Sequence, residues 1–241
     1  MLINKLSILI PVYNEENTLL KLLTKVKNVE LINNIQKEFI IVDDGSKDNS
    51  IAIVKEFISD SPDLDVKFFP MKKNIGKGGA IHEGISHASG EYLIIQDADL
   101  EYDPNEYNKL LQPILNEEAD IVYGSRFLGN LPHQKSYFTH HFANKFLTFL
   151  SNLFSNLKLT DMETCYKLLK TDIIQSIPLT EKRFGFEPEV TAKLSRIKNL
   201  RLKEVEISYY GRKYDEGKKI GWKDGVKAIY CILKYGMFKK I

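Results

Sequence analysis

Cysteine is nearly absent: Cys165 and Cys231 are the only two. Their number and spacing fit neither a disulfide framework nor a C-x-x-C metal or redox motif, so a reducing, cytosolic setting is expected. No segment approaches the roughly 20 apolar residues of a membrane span. Acids and bases nearly balance, 32 against 34, for a formal net charge of +2, and that excludes the bulk basic field of a nucleic-acid binder. Met1 to Lys5 lead straight into a strand-like run, so no secretory leader is expected. No G-x-G-x-x-G follows that run, which argues against a dinucleotide-binding loop. Asn74 to Gly79 resembles a phosphate loop only superficially: Lys77 is followed by glycine where Ser or Thr is required. The five histidines are scattered, and no Ser-His-Asp arrangement is readable. Internal repeats and low-complexity linkers are also missing.

What is present is alternation. Apolar, β-branched runs at 7–12, 39–42, 65–69, 92–96 and 120–123 read as strands. Between them, 15–26, 48–57, 77–88 and 104–116 carry helical spacing, with Asp48 and Asp103 as candidate caps and Pro104 opening the last. Nearly continuous apolar strands separated by helices predict an α/β fold, a mostly parallel sheet covered by helices on both faces. The second half is less regular. It offers helices at 137–154, 188–197 and 222–235, strands at 166–169 and 202–209, and a Gly- and charge-rich loop at 210–221. No boundary is evident, and 241 residues suit one domain.

Polar clusters follow each of the first five strands: Pro11 to Glu15, Asp43 to Ser46, Asn74 to Gly78, Asp97-Ala98-Asp99, and Gly124 to Arg126. All lie at carboxyl ends and so share the edge where open α/β sheets bind ligands. Asp97 and Asp99, two apart on an extended segment, point the same way. Mg²⁺ is commonly held by one or two carboxylates plus substrate phosphates. The bland reading of each cluster stands beside this one: Asp-Gly-Ser makes a turn, and Lys77 and Arg126 can be solvated surface cations.

With these residues the chain resembles the inverting GT-A glycosyltransferases of family 2, in the dolichyl-phosphate mannosyltransferase and polyprenyl-phosphate glycosyltransferase branch. The resemblance runs through Ile8 to Glu15, Ile41 to Ser46, Asn74 to Gly78, Gln96 to Leu100 and Gly124 to Arg126. It continues through Thr160-Asp161, Cys165 to Lys167, Phe184 to Glu187, and Gly211-Arg212 with Glu216 to Lys219. It implies a single GT-A domain over 1–241, with a nucleotide-sugar-binding half (1–126) and an acceptor-binding half (127–241). It further implies that Asp44 binds the nucleoside, with Pro11, Tyr13 and Glu15 lining the base and ribose pocket. Lys77, Asp97, Ala98 and Asp99 would complete the donor site, and Asp97 and Asp99 would hold Mg²⁺ or Mn²⁺ on the diphosphate. Glu101 stands where relatives often carry Gln as a further metal ligand. Arg212 and Lys218 would close over the phosphates.

The activity implied is metal-dependent transfer of a hexose, with inversion, from a GDP-mannose- or UDP-glucose-type donor to a polyprenyl phosphate. A lipid monophosphate, with a second pKa near ~6, needs cations rather than a base. Arg126 is the candidate grip for it. A hydroxyl acceptor would need a base, for which Asp161 or Glu187 are candidates. Trp222, Val226, Ile229, Tyr230, Leu233 and Met237 fall on one helical face, flanked by Lys223, Lys227 and Lys234, with Lys239 and Lys240 beyond. That pattern suits a helix lying on an anionic leaflet at the cytoplasmic face, or binding a membrane-anchoring partner. Phe138, Phe142, Phe146 and Phe149 offer an acceptor groove at the same surface. The alternatives are hydroxyl-directed transfer, a non-catalytic nucleotide-sugar-binding subunit of a membrane complex, and a nucleotidyltransferase.

Overall fold

The computed structural model describes residues 3–129, 138–211 and 221–237. Among them seven strands form one sheet in the order β3-β2-β1-β4-β6-β5-β7. The strands are β1 (Lys5–Val12), β2 (Gln36–Asp43), β3 (Asp65–Pro70), β4 (Tyr92–Ile95), β5 (Ile121–Ser125), β6 (Lys167–Lys170) and β7 (Leu202–Glu206). Four helices alternate with the first five strands: α1 (Leu19–Asn28), α2 (Ser50–Ser59), α3 (Lys77–His87) and α4 (Tyr107–Leu115). Then come α5 (Phe138–Ser155), the short α6 (Thr171–Ser176), α7 (Phe186–Leu194) and α8 (Trp222–Met237). Leu6, Ile8, Leu9, Ile10, Phe39 to Val42 and Leu93 to Ile95 are all essentially inaccessible. Helices on both faces of a parallel sheet explain why these strands do not alternate in polarity.

Only β6 runs against its neighbours, β4 and β5. Two reversals in succession leave β5 pointing the same way as β1 to β4, and β7 pairs parallel with β5. The carboxyl ends of β1 to β5 therefore share one edge. Because β6 is reversed, the chain entering it reaches that same edge.

The structure adjusts several sequence boundaries. The helix expected from Glu15 starts at Leu19, and Glu15 sits in the preceding turn, its carbonyl accepting the Thr18 and Leu19 N–H groups. Pro104–Glu106 is a 3₁₀ turn leading into α4, and Asp103 does cap it, accepting the Asn105 N–H. Asp48 accepts the Ser50 N–H, one residue ahead of the α2 cap position. The helix placed at 188 begins at Phe186, which puts Glu187 in its first turn. The last strand ends at Glu206 rather than 209, because the Ser208 N–H turns to the buried carboxylate of Glu106.

One buried acid clamps the opposite end of the sheet. Glu38, fully buried on β2, accepts from Ser7 Oγ (2.5 Å), Ser89 N–H (2.9 Å) and Ser89 Oγ (2.6 Å), and pairs with Lys67 (2.5 Å). Burial opposes its ionisation, but the Lys67, Ser7 and Ser89 donors outweigh it and bring the pKa down to about 2. A depressed acid stabilises the fold above its unfolded pKa, and that contribution is lost as pH falls from about 4.5 towards 2. A shift of this size corresponds to about 3 kcal/mol. Glu38→Gln should lower stability at pH 7 by about that amount and flatten the acid limb below pH 4.5. Urea denaturation at pH 7 and pH 3 checks this; an acid limb unchanged in the variant would refute it.

Candidate active site

The loops at the shared edge are stitched to one another. Asn14, at φ 50°, turns the chain after β1. Its N–H donates to Ser46 Oγ (2.9 Å), and its side-chain oxygen accepts the Lys47 N–H (2.8 Å). Pro11 and Tyr13 are half-buried beside it, and Glu15 is buried. Thr18 Oγ1 lies 3.0 Å from Glu15 Oε2 and 2.8 Å from the Ala98 carbonyl oxygen, which ties the β1 loop to the loop after β4.

Asp43 and Asp44 end β2. Asp43 Oδ1 accepts the Gly45 and Ser46 N–H groups, while its Oδ2 is buried with no hydrogen-bond partner. Asp44, 2% exposed, accepts the Ile75 N–H (2.7 Å) on one oxygen and the Gly76 N–H (2.8 Å) on the other. Burial raises its pKa, and those two N–H groups oppose the rise. Gly76, at φ +99°, is the cap of α3, and a Cβ there would meet the Lys182 carbonyl oxygen at 2.4 Å. Only glycine fits this turn without strain. Asp44 therefore positions the α3 N-terminus, and a ligand hydroxyl would meet its remaining lone pairs.

Lys77, the first residue of α3, lies 2.8 Å and 3.0 Å from the two oxygens of Asp97 and 3.6 Å from Glu187. Burial alone would lower the pKa of this ammonium, but Asp97, with Cys165 and Glu187, holds it well above its ordinary value. Lys77 stays charged and keeps Asp97 oriented. Gln96, fully buried, opens one of the resembling motifs but received no role from the sequence. Its oxygen accepts from Tyr107 (2.7 Å) and Tyr166 (2.6 Å), and its amide donates to the Asp97 carbonyl (3.0 Å). The strand end beneath Asp97 is thereby locked.

After Asp99 the chain turns sharply at Leu100, whose φ of +64° is left-handed for a residue with a Cβ. Such strain costs about 1 kcal/mol or more and persists only where the surroundings impose it. It lets the Glu101 N–H return to Asp99 Oδ1 (3.1 Å). The Glu101 carboxylate accepts the Tyr209 hydroxyl (2.6 Å). Among the described residues no three His, Cys, Asp or Glu side chains converge into a metal cage. Of Asp97, Asp99 and Glu101, the first pairs with Lys77 and the third accepts the Tyr209 hydroxyl. Two hard carboxylates, Asp97 and Asp99, on a half-exposed strand end fit a cation shared with substrate phosphates.

Arg126, at the end of β5, is 8% exposed and is not a solvated surface cation. Its Nε and Nη2 donate to the two oxygens of fully buried Asp161 (2.6 Å and 2.8 Å), and its backbone N–H donates to Asp161 as well (3.0 Å). The guanidinium also lies 5.0 Å from the Tyr209 ring centre. Its bidentate edge is thus engaged, and a phosphate would meet the remaining N–H groups. Asp161, with both oxygens bound by a permanent cation, is a holder of Arg126 and is poorly placed as a base. Glu187, 5% exposed in the first turn of α7, faces Lys77. Arg212 and Lys218 lie outside the described residues.

The profile of Glycosyl transferase family 2 matches residues 7–177. The undecaprenyl-phosphate 4-deoxy-4-formamido-L-arabinose transferase of Proteus mirabilis is 30% identical, aligned over 90% of this chain and 63% of its own. The UDP-N-acetylglucosamine–dolichyl-phosphate N-acetylglucosaminyltransferase of Methanococcus voltae is 28% identical over 96% of each chain. The chain thus spans less than two thirds of the first of these relatives and nearly all of the second. Among solved structures, glucosyl-3-phosphoglycerate synthase from Mycobacterium tuberculosis, in complex with Mn²⁺, UDP and phosphoglyceric acid, superposes with a TM-score of 0.73. That likeness, at 16% identity, covers 98% of this chain and 80% of the other.

Proposed function

The chain belongs to glycosyl transferase family 2 and has the GT-A fold, and we propose that it transfers a hexose, with inversion, from a nucleoside-diphosphate sugar to a polyprenyl phosphate. The observation that carries this reading is the pairing, on one sheet edge, of a carboxylate site (Asp97, Asp99) with a buried arginine, Arg126. The polyprenyl-phosphate acceptors named for the relatives support the same choice.

Pro11, Tyr13, Glu15 and Asp44 receive the nucleoside. Asp97 and Asp99 would hold Mg²⁺ or Mn²⁺, which when bound would offset the charge of the leaving diphosphate. Lys77 keeps Asp97 oriented and adds positive charge at the same place. Arg212 and Lys218 supply further cations to the diphosphate. Arg126 positions the acceptor phosphate, whose oxygen is already anionic and attacks without proton removal. Incubation with GDP-mannose and UDP-glucose, Mn²⁺, and either farnesyl phosphate or free sugars tests the reading. Transfer to the phosphate is expected; transfer to sugar hydroxyls alone would overturn it.

A lipid acceptor requires an apolar approach. Phe142, Phe146, Phe149 and Leu153 of α5 are 49–68% exposed, and so are Val226, Tyr230 and Met237 of the neighbouring α8. The opposite face of α8, with Ala228, Cys231, Ile232 and Tyr235, is buried against the body. The two outward stripes form the surface that meets a bilayer or an anchoring partner. The lysines serve it less than the sequence implied: Lys227 and Lys234 both pair with Glu181 (3.1 Å and 3.0 Å) and fasten α8 to the fold. Lys239 and Lys240 lie outside the described residues, and among those described no helix is long and apolar enough to cross a membrane. Phe146→Asp with Tyr230→Asp should reduce sedimentation with phosphatidylglycerol vesicles at least ~10-fold while leaving the fold intact by circular dichroism. Undiminished sedimentation would remove the membrane assignment.

A further inference from the structure

The chain entering β6 carries two polar groups that the proposed function leaves unused. Residues 160–165 reach the active edge because β6 is reversed. Several backbone groups of this turn are pinned. Glu204 accepts the N–H groups of Thr160 (2.7 Å) and Asp161 (3.0 Å), Thr148 Oγ1 that of Met162 (3.1 Å), and Tyr102 Oη that of Cys165 (3.1 Å). Lys167, fully buried, donates to the Met162 carbonyl (3.0 Å) and to the Thr164 carbonyl, on either side of Glu163. Against that rigid frame, Glu163 Oε1 and Thr164 Oγ1 are buried and have no hydrogen-bond partner. Buried polar atoms are rarely left unpaired, and two in succession on one turn at the active edge could both meet a polar ligand.

The turn's ends show which ligand. One end, Asp161, grips Arg126. The other, Cys165, has its thiol 3.7 Å from the Ile95 carbonyl at the end of β4. Glu163 thus lies on the turn that joins the holder of Arg126 to the end of β4, with the charges of Arg126, Asp161, Lys167 and Glu187 acting on its carboxyl. Resting on the acceptor assignment above, we propose that Glu163 is an acceptor-binding residue whose carboxyl donates a hydrogen bond to an anionic oxygen of the incoming phosphate.

A donor carboxyl must hold its proton, and the surroundings provide for that. Burial, then the charge of Glu187 on α7, push Glu163 up to about 8, against the pull of Lys167 on β6 and Arg126 after β5, with Asp161 adding to the rise. At neutral pH the carboxyl is uncharged beside a phosphate dianion. As pH climbs through about 8 it ionises, the hydrogen bond is lost and like charges meet. No proton changes hands in the transfer: Glu163 keeps its own.

The test compares the KM for farnesyl phosphate, and separately the donor KM, across pH 6 to 10 in wild type, Glu163→Gln and Glu163→Ala. In wild type the acceptor KM should rise above pH 8 while the donor KM does not. Glutamine donates a hydrogen bond at every pH, so Glu163→Gln should lose the alkaline rise. Glu163→Ala should raise the acceptor KM about 10- to 100-fold at pH 7, the size of a lost hydrogen bond to a charged group. An alkaline rise that persists in Glu163→Gln, or an effect confined to the donor KM, overturns the proposal while leaving the acceptor assignment standing. Failure of wild type to use any polyprenyl phosphate overturns both. Infrared spectroscopy gives a reading independent of turnover: wild type at pH 7 should show a protonated-carboxyl band that Glu163→Gln lacks and that shifts on adding farnesyl phosphate, and its absence would also refute the proposal.

Discussion

Asp99→Ala should abolish turnover, lowering kcat by about 10³-fold or more, in the range lost when a preorganised electrostatic group is removed from a developing charge. Asp99 follows Asp97 on the half-exposed end of β4, and two hard carboxylates so placed fit a cation shared with the diphosphate. Its position depends on the left-handed turn at Leu100 and not on the core. The variant should therefore fold normally, and a thermal melt within a few degrees of wild type is the control. Donor affinity measured calorimetrically with Mn²⁺ should fall to the metal-free level. Retained Mn²⁺-dependent activity would contradict the assignment.

The second large effect is expected at Arg126, and it has two parts that must be separated. Arg126→Ala removes the cation offered to the acceptor phosphate and also strands Asp161, fully buried, without its partner. Breaking a buried pair from one side costs about 3–5 kcal/mol, whereas replacing both members by apolar residues is often neutral. Arg126→Met with Asp161→Leu should therefore recover most of the stability lost in Arg126→Ala, as read from urea midpoints. Acceptor use should not recover: the KM for farnesyl phosphate should remain raised about 100-fold in both, with donor binding little changed. If the double variant regains acceptor affinity, Arg126 acts through folding alone.

The contrast between Asp99 and Arg126 shows what was legible in the sequence. Strands buried on both faces announce themselves as continuous apolar runs, so β1 to β5 and their shared edge could be read directly. The reversed direction of β6 could not. Tyr166 to Leu169 reads as a strand either way, and pairing direction depends on partners distant in sequence. That one reversal brings Thr160 to Cys165 to the site. Arg126 read either as a phosphate grip or as a solvated surface cation, because nothing local reveals that Asp161, 35 residues on, closes around it. Lys77 likewise matched a loop lysine, and its pairing with Asp97 across 20 residues is a tertiary fact. Gln96 and Glu163 received no role for a different reason: a buried amide and a buried acid carry no periodicity, and their importance lies in what does or does not hydrogen-bond to them. On α8 the sequence identified the apolar stripe correctly but not the role of Lys227 and Lys234, which depends on Glu181 lying beneath them.

The central claim is that an anionic phosphate oxygen, and not a hydroxyl, takes the sugar. The most direct measurement is NMR of the product formed from an α-linked nucleotide sugar, Mn²⁺ and farnesyl phosphate. Transfer to phosphate with inversion predicts a β-anomeric proton coupled to phosphorus, in a product whose phosphomonoester has become a phosphodiester as the nucleoside diphosphate leaves. A product whose anomeric proton shows no phosphorus coupling, or one that retains the α configuration, would contradict the account.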